Sequence, residues 1–401
     1  MKWRSVLLKL FESESDTDAI FHNREILRHD FIPQSLPHRH DHIKRIGSIF
    51  APALSGSKIS NVFAYGKTGT GKTIVTKYVL DRLKDRINDS KTRVVVSYVN
   101  CRMARTNYRV LAELCRTVQV RVPFTGLAVG ELVDRLEAAM RLKDLRMIVA
   151  LDEVDGLVSN GEEQNLLYDL TRLNERMGNR WICLSGISNS LRFKELLDPR
   201  ILSCLGEEEV TFHPYTANEL YDILHERAGL AFKDGVLNDA ALRLCAALAA
   251  REHGDARRAL DLLRVAGELA SRQREGKIVE SHVMAAQETI QSDRISEVLQ
   301  SLPLHSKVVL VSVLRSGDFS GGNGTSGALY DTYRHLCGRI GIEPLTTRRV
   351  SSLINELDML GMLHARVVSF GRYGRTKKIE LALNRNTLLE SLEKDDIIGS
   401  L

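Results

Sequence analysis

The octapeptide GKTGTGKT (Gly66–Thr73) follows directly on the apolar run NVFAY (61–65) and opens a helical pattern. No other feature of this 401-residue chain narrows the choice of fold as far. The stretch satisfies G-x-x-x-x-G-K-[ST] and sits between a strand and a helix, the context such a loop requires. Its glycines let the backbone wrap so that N–H groups point at phosphate oxygens, and the helix N-terminus adds its dipole. Gly66, Lys67, Thr68, Gly69, Thr70 and Gly71 are thus the candidate phosphate cradle. Lys72 supplies a point charge to the β- and γ-phosphates, and Thr73 a hydroxyl for Mg²⁺. ATP or ADP with Mg²⁺ is the expected cofactor.

From Phe31 to Tyr215 short β-rich runs alternate with helical patterns. The runs are NVFAY (61–65), RVVVSYV (93–99), MIVALDEV (147–154), WICLSGIS (181–188) and EEVTFHPY (208–215). Four are nearly continuous in apolar residues, as strands buried on both faces should be. The fifth is more polar and reads as an edge. The expected fold class is α/β: a P-loop parallel sheet with helices on both sides. Residues 216–292 are purely helical in pattern and predict a small lid domain, with Gly229 and Gly254 at helix ends. Residues 293–401 form a third unit. Residues 1–30 read as a partly ordered N-terminal arm.

No apolar run approaches the roughly 18 residues of a membrane span. The N-terminus MKWRSVLLKLFESESD has neither the length nor the cleavage site of a signal peptide, so a cytoplasmic protein without a membrane partner is expected. The six cysteines are scattered with no C-x-x-C pair, which fits buried, reduced thiols. HRHDH (38–42) reads as a solvated polar turn rather than a metal site.

The apolar run MIVALDEV delivers Asp152 and Glu153 to the C-terminal end of a strand, where ligands of open α/β sheets sit. Asp152 is the candidate for Mg²⁺, and Glu153 for polarising a water toward the γ-phosphate. LSGISNSLRF places Asn189 at the end of the next strand, where its amide can contact phosphate and orient water; an ordinary Asn–Ser helix cap is the other reading. In HGDARRALDLLR, Arg257 and Arg258 open an amphipathic helix built on Ala259, Leu260, Leu262, Leu263 and Val265. One of the two could reach back to the nucleotide. Ordinary surface arginines are the alternative.

The net charge of +5 is not evenly spread. Residues 301–382 hold eleven Lys/Arg against six Asp/Glu, an excess equal to that of the whole chain, which points to a polyanion-binding module. SKVVLVSVLRSG and GALYDTYRHLCGRIG are helical patterns joined by the Gly-rich loop SGGNGTSG (320–327). PLTTRRVSSLINELDMLGML then carries Val350, Leu353, Ile354, Leu357 and Leu360 on one face, with Thr346 or Thr347 as N-cap. Two strand-like runs follow around GRYGR. Three helices and a basic hairpin make a winged helix-turn-helix. Thr347, Arg348, Arg349 and Ser352 at the start of the third helix are candidates for the major groove of duplex DNA. Arg372, Tyr373, Arg375, Lys377 and Lys378 are candidates for the wing. A winged helix used only for protein contacts is the alternative.

In combination, VFAYGKTGTGKT, SYVNC, LDEVDGLV, SNSLRFKELLDPR and GDARRALDLLRVAGE resemble the AAA+ ATPases, and within them the archaeal replication initiators of the origin recognition complex/Cdc type. The resemblance runs from about Phe31 to about Asn384. It implies that Asn189 is a first sensor of nucleotide and Arg257 a second, and that Arg200 in LLDPRILSCL stands where a trans-acting arginine is often found. Cys204 departs from the arginine many relatives carry. A DNA-pressing helix is implied near residues 122–136. The resemblance further implies an ATP-dependent initiator of DNA replication, a slow ATPase used as a switch, that binds duplex origin DNA and helps recruit or load the replicative helicase, with other initiator copies or paralogues as further partners. A nucleotide-switched transcription regulator and an AAA+ DNA motor are the rival readings.

Overall fold

The computed structural model describes residues 20–90, 92–158, 165–319, 326–369, 375–383, 385–392, 395 and 398. The chain divides into two compact units, residues 1–283 and 284–401. In the first, strands β1 (Asn61–Tyr65), β2 (Val94–Asn100), β3 (Arg146–Asp152), β4 (Ile182–Ser188) and β5 (Glu207–Thr211) form one parallel sheet in the order β2-β3-β4-β1-β5. The polar fifth strand lies at an edge.

Alternate residues of the central strands feed two cores. Val62, Ala64, Ile148 and Ala150 pack under helices α1 (His40–Phe50) and α2 (Lys72–Asp89). Phe63, Tyr65, Met147, Val149 and Leu151 pack under α3 (Asn107–Thr117), α4 (Val129–Leu142) and α5 (Asn165–Arg176) on the other side. A strand buried on both faces cannot alternate apolar with polar residues, hence the continuous runs. The histidine-rich stretch differs from expectation: His40 opens α1, and Ile46, Ile49 and Phe50 bury its apolar face. The polar residues there are a first helical turn. A short helix α6 (Pro199–Leu205) precedes β5.

The lid completes this unit with α7 (Ala217–Ala231), α8 (Asp239–Arg251) and α9 (Ala256–Arg272). Thr216 and Glu219 form a reciprocal capping box that starts α7. Gly229 lies inside α7, which runs on to Ala231 because Ala228 and Ala231 are buried against the lid core. Residues 20–30, expected in the arm, are folded onto the lid. Phe21 pairs with Phe232 in a short antiparallel bridge, their rings 4.9 Å apart, and His22 and Asn23 both donate backbone N–H groups to Ala231 O. Ile20 and Leu27 are fully buried.

Helix α10 (Glu280–Ser301) leads into the second unit. There α11 (Leu304–Phe319), α12 (Ser326–Ile340), α13 (Thr347–Met359), the antiparallel pair β6 (Leu363–Ser369) and β7 (Arg375–Leu381), and α14 (Arg385–Leu392) enclose one core. This is a winged helix-turn-helix. Thr346 is the N-cap of α13, accepting from Arg349 N. Val350, Leu353, Ile354 and Leu357 are buried as expected, but Leu360 is exposed, because the helix ends at Met359 and Leu360 turns away as its C-cap. Arg372 and Tyr373, and all of the Gly-rich stretch before Ser326, lie outside the described residues.

Candidate nucleotide cleft and nucleic-acid surface

The loop Gly66–Thr73 joins β1 to α2 at the carboxyl edge of the sheet. Lys72 is buried, and its ammonium donates to Gly66 O at 2.8 Å and Lys67 O at 2.6 Å. The charge thus stands inside the loop it serves. Burial pushes its pKa down to about 8; the positive charge of Arg257 acts in the same direction, while Asp152, Asp155 and Asp255 oppose it. Thr70 Oγ1 closes the turn by donating to Lys67 O at 2.9 Å.

Asp152 ends β3 and is 3% exposed. Its Oδ1 accepts from the Thr73 hydroxyl at 3.2 Å and from Glu153 N at 3.0 Å, and its Oδ2 from the Tyr98 hydroxyl at 2.5 Å. Two hard oxygen donors, the Thr73 hydroxyl and the Asp152 carboxylate, therefore lie together beside the phosphate loop, the donor set Mg²⁺ prefers. Glu153 follows with a left-handed backbone (φ 52°), strained for a residue with a side chain. Asn189 leaves the end of β4, its N–H bonded to Asp155 Oδ1 at 3.1 Å. Thr73, Glu153, Asn189 and Arg257 all line one cleft with Lys72.

The two arginines of the lid helix part company. Arg258 is drawn away to Glu252 at 3.0 Å, whereas Arg257 lines the cleft. Asp255 caps α9, accepting from Arg257 N at 2.8 Å and Arg258 N at 3.3 Å. The cap presses on the phosphate loop itself: Ala256 N donates to Gly69 O at 3.2 Å. A Cβ on Gly69 would stand 1.7 Å from Asp255 Oδ1, and φ there is +70°. Only glycine fits.

The other wall is built mostly from residues outside the motifs singled out in the sequence. Phe31, Ile32, Pro33 and Leu36 come from the segment before α1, Ile74 from α2, and Ile223 and Leu260 from the lid. Arg227 of α7 fixes that segment by donating to Ile26 O at 2.9 Å and Phe31 O at 3.2 Å, with its guanidinium 4.7 Å from the Phe31 ring centroid. Arg39 ties it to the loop. Buried itself, it donates to Thr70 O at 3.0 Å and His213 O at 2.9 Å and lies 3.7 Å from the Tyr215 ring centroid. The apolar FIPQSLP was the available signal, but its partners lie far away in sequence. Arg200 is not among the cleft-lining residues; it stands exposed on α6, held by Asp198 at 3.0 Å. The expected helix near 122–136 begins only at Val129, and Phe124 before it is 80% exposed beneath the Arg109 guanidinium.

In the second unit Thr347, Arg348 and Arg349 stand exposed in the first turn of α13, and the Ser352 hydroxyl donates to Arg348 O at 3.3 Å. Arg349 reaches Glu356 at 3.5 Å. Lys377 of β7 donates to Asn355 of α13 at 2.5 Å, which links wing to helix, and Lys378 pairs with Glu380 at 2.7 Å. Arg375 opens β7. Exposed Arg366 faces Lys378 across the hairpin and extends the basic surface beyond the residues singled out from sequence.

Known proteins match this chain along nearly its full length. The AAA domain family model matches residues 58–193, the Cdc6 AAA+ ATPase-type lid domain 221–288, and the CDC6 C-terminal winged helix domain 297–391. The ORC1-type DNA replication protein 1 of Archaeoglobus fulgidus is 46% identical over 388 residues, 97% of this chain and 94% of that protein. The ORC1-type DNA replication protein 1 of Aeropyrum pernix is 49% identical over 385 residues, 95% of this chain and 97% of its own length. The ORC1 protein of Aeropyrum pernix, solved in complex with DNA, superposes with a TM-score of 0.80 at 48% identity, covering 95% of this chain and 99% of that one.

Proposed function

Since the chain belongs to the family of ORC1-type DNA replication proteins, we propose that it initiates DNA replication by binding duplex origin DNA, with ATP in its cleft as the setting of a switch. The observation that carries the switch is the contact of the lid cap with the phosphate loop, Ala256 N to Gly69 O and Asp255 against Gly69. A γ-phosphate in that loop meets Lys72, Asn189 and the lid arginine Arg257 together. The lid's preferred position then depends on whether the γ-phosphate is there. The second unit continues from the lid through α10 and presents the basic end of α13, which suits the major groove.

Within the cleft Lys72 turns its ammonium from the Gly66 and Lys67 carbonyls to the phosphates. Thr73 and Asp152 would hold Mg²⁺, which neutralises phosphate charge when bound. Glu153 accepts a proton from, and orients, the attacking water, and Asn189 steadies that water against the γ-phosphate. Arg257 balances the charge of the transferring group from the lid side. Such an arrangement serves slow hydrolysis that resets a bound state. Helicase recruitment and a trans-acting role for Arg200 are the further steps of this proposal, both resting on the family. Arg200 paired to Asp198 on an exposed helix is free to meet a second copy only if that pair opens.

Footprinting of the intact protein with ATP on the DNA beside its own gene tests the proposal. Protection of a discrete site, followed by co-purification of the helicase on that DNA, is expected. Uniform coverage of site and scrambled DNA alike would contradict origin binding.

A further inference from the structure

Asp152 is held by Tyr98, a residue of the SYVNC run for which the sequence indicated no role. Tyr98 lies on β2, two residues before Asn100, which is in register with Asp152 on β3, so both side chains face α2. Its phenol donates to Asp152 Oδ2 at 2.5 Å, while Thr73 and Glu153 N occupy Oδ1. The ring is itself fixed: Lys77 Nζ of α2 stands 4.5 Å from its centroid, and the ring packs against the core on that face.

We propose that Tyr98 is a positioning residue for the metal-bound nucleotide: by pinning Oδ2 it keeps Oδ1 of Asp152 beside the Thr73 hydroxyl, where the two oxygens would hold Mg²⁺. This rests on reading the cleft as a Mg²⁺–nucleotide site. Rotation about the terminal bond of an aspartate is soft and roughly two-fold, so a carboxylate without such a donor samples many orientations. A cationic donor would fix it equally well but would cancel the charge that attracts the metal. A phenol is neutral and leaves that charge in place. Its hydrogen bond also satisfies a carboxylate oxygen too buried to rely on water.

Tyr98→Phe keeps the ring and removes only the hydroxyl. Nucleotide affinity is measured on the intact protein with a fluorescent ATP analogue, first in EDTA and then across a Mg²⁺ titration, with the melting temperature read alongside. The expected result is an EDTA affinity within about twofold of wild type and a Mg²⁺ midpoint raised roughly tenfold, equivalent to about 1.4 kcal/mol. An unchanged midpoint, or an equal loss with and without Mg²⁺, would overturn the proposal in favour of simple packing. Should Tyr98→Phe not fold, 4-aminophenylalanine incorporated at position 98 keeps the ring and restores a neutral donor at the same reach. A midpoint within about threefold of wild type then supports the proposal, and a tenfold rise despite the donor overturns it. Failure of the underlying reading is separately visible: wild-type protein would then gain no nucleotide affinity from Mg²⁺.

Discussion

Around the cleft, Lys72, Asp152, Arg39 and Arg227 are buried; Lys72 is held by carbonyls of its own loop, and the other three by partners far away in sequence. At the basic end of α13, Arg348 and Arg349 are exposed, and the contacts drawn there reach only along the helix or across to the hairpin. Buried polar networks in low dielectric act as units, and removing one member leaves others unsatisfied. Exposed charges on a rigid helix act nearly independently. Substitutions in the cleft should therefore be large and non-additive, and those on the basic surface smaller and additive.

The largest effect is expected at Lys72. Lys72→Ala removes the ammonium that the phosphate loop encloses and should lower ATP affinity by at least 100-fold in a fluorescence titration. A loss under tenfold would mean the cleft does not hold phosphate there. Gly69→Ala comes next. It forces a left-handed alanine and a clash with Asp255, strain of about 1–3 kcal/mol. It should cut ATP affinity and expose the lid to proteolysis, and pairing it with Arg257→Ala should cost less than the two singly. Full additivity would break the picture of a coupled cleft.

On the other side of the comparison, Arg348→Ala should cost roughly 1–3 kcal/mol at one base position and relax specificity there, as read by competition binding with single-base variants of the site. An equal loss on all sequences would remove its base-reading role. Arg375→Ala should weaken every duplex alike and reduce the salt slope by about one. The two together should add.

The smallest effect concerns pH. Lys72 titrates at about 8 in the free protein because of burial, and paired with phosphate it must stay protonated. Above pH 8 binding therefore takes up a proton, and ATP affinity should fall about fivefold between pH 8 and 9. Below pH 8 this contribution is flat. Lys72→Arg, charged throughout, should lose the slope, and a slope that survives in it assigns the titration elsewhere.

Much of this cleft could be read from sequence, because a phosphate loop and an acidic strand end have fixed local spacing. Gly69, Gly71, Lys72, Thr73, Glu153, Asn189 and Arg257 line one cleft, and Asp152 joins it through Thr73. The residue pattern left Arg257 and Arg258 equivalent and the resemblance chose Arg257; what separates them physically is Glu252, a partner of Arg258 that no periodicity indicates. Tyr98, Arg39 and Arg227 escaped for the same reason: each acts through tertiary neighbours, Arg227 through carbonyls some 200 residues away. Residues 20–30 read as an arm since an isolated bridge and a single turn have no period. On the basic surface the charge excess located the unit, while Leu360 shows the limit of a face read by periodicity past a helix end.

The central claim is that nucleotide in the first unit sets DNA binding by the second. Duplex affinity of the intact protein, titrated with salt on its own site and on scrambled DNA in the presence of ATP, ADP or neither, measures this most directly. The account predicts tighter binding to the discrete site than to scrambled DNA, with an affinity that differs between ATP and ADP and a difference abolished by Lys72→Ala. Identical affinities in all three nucleotide conditions, on a protein shown to bind ATP, would contradict it.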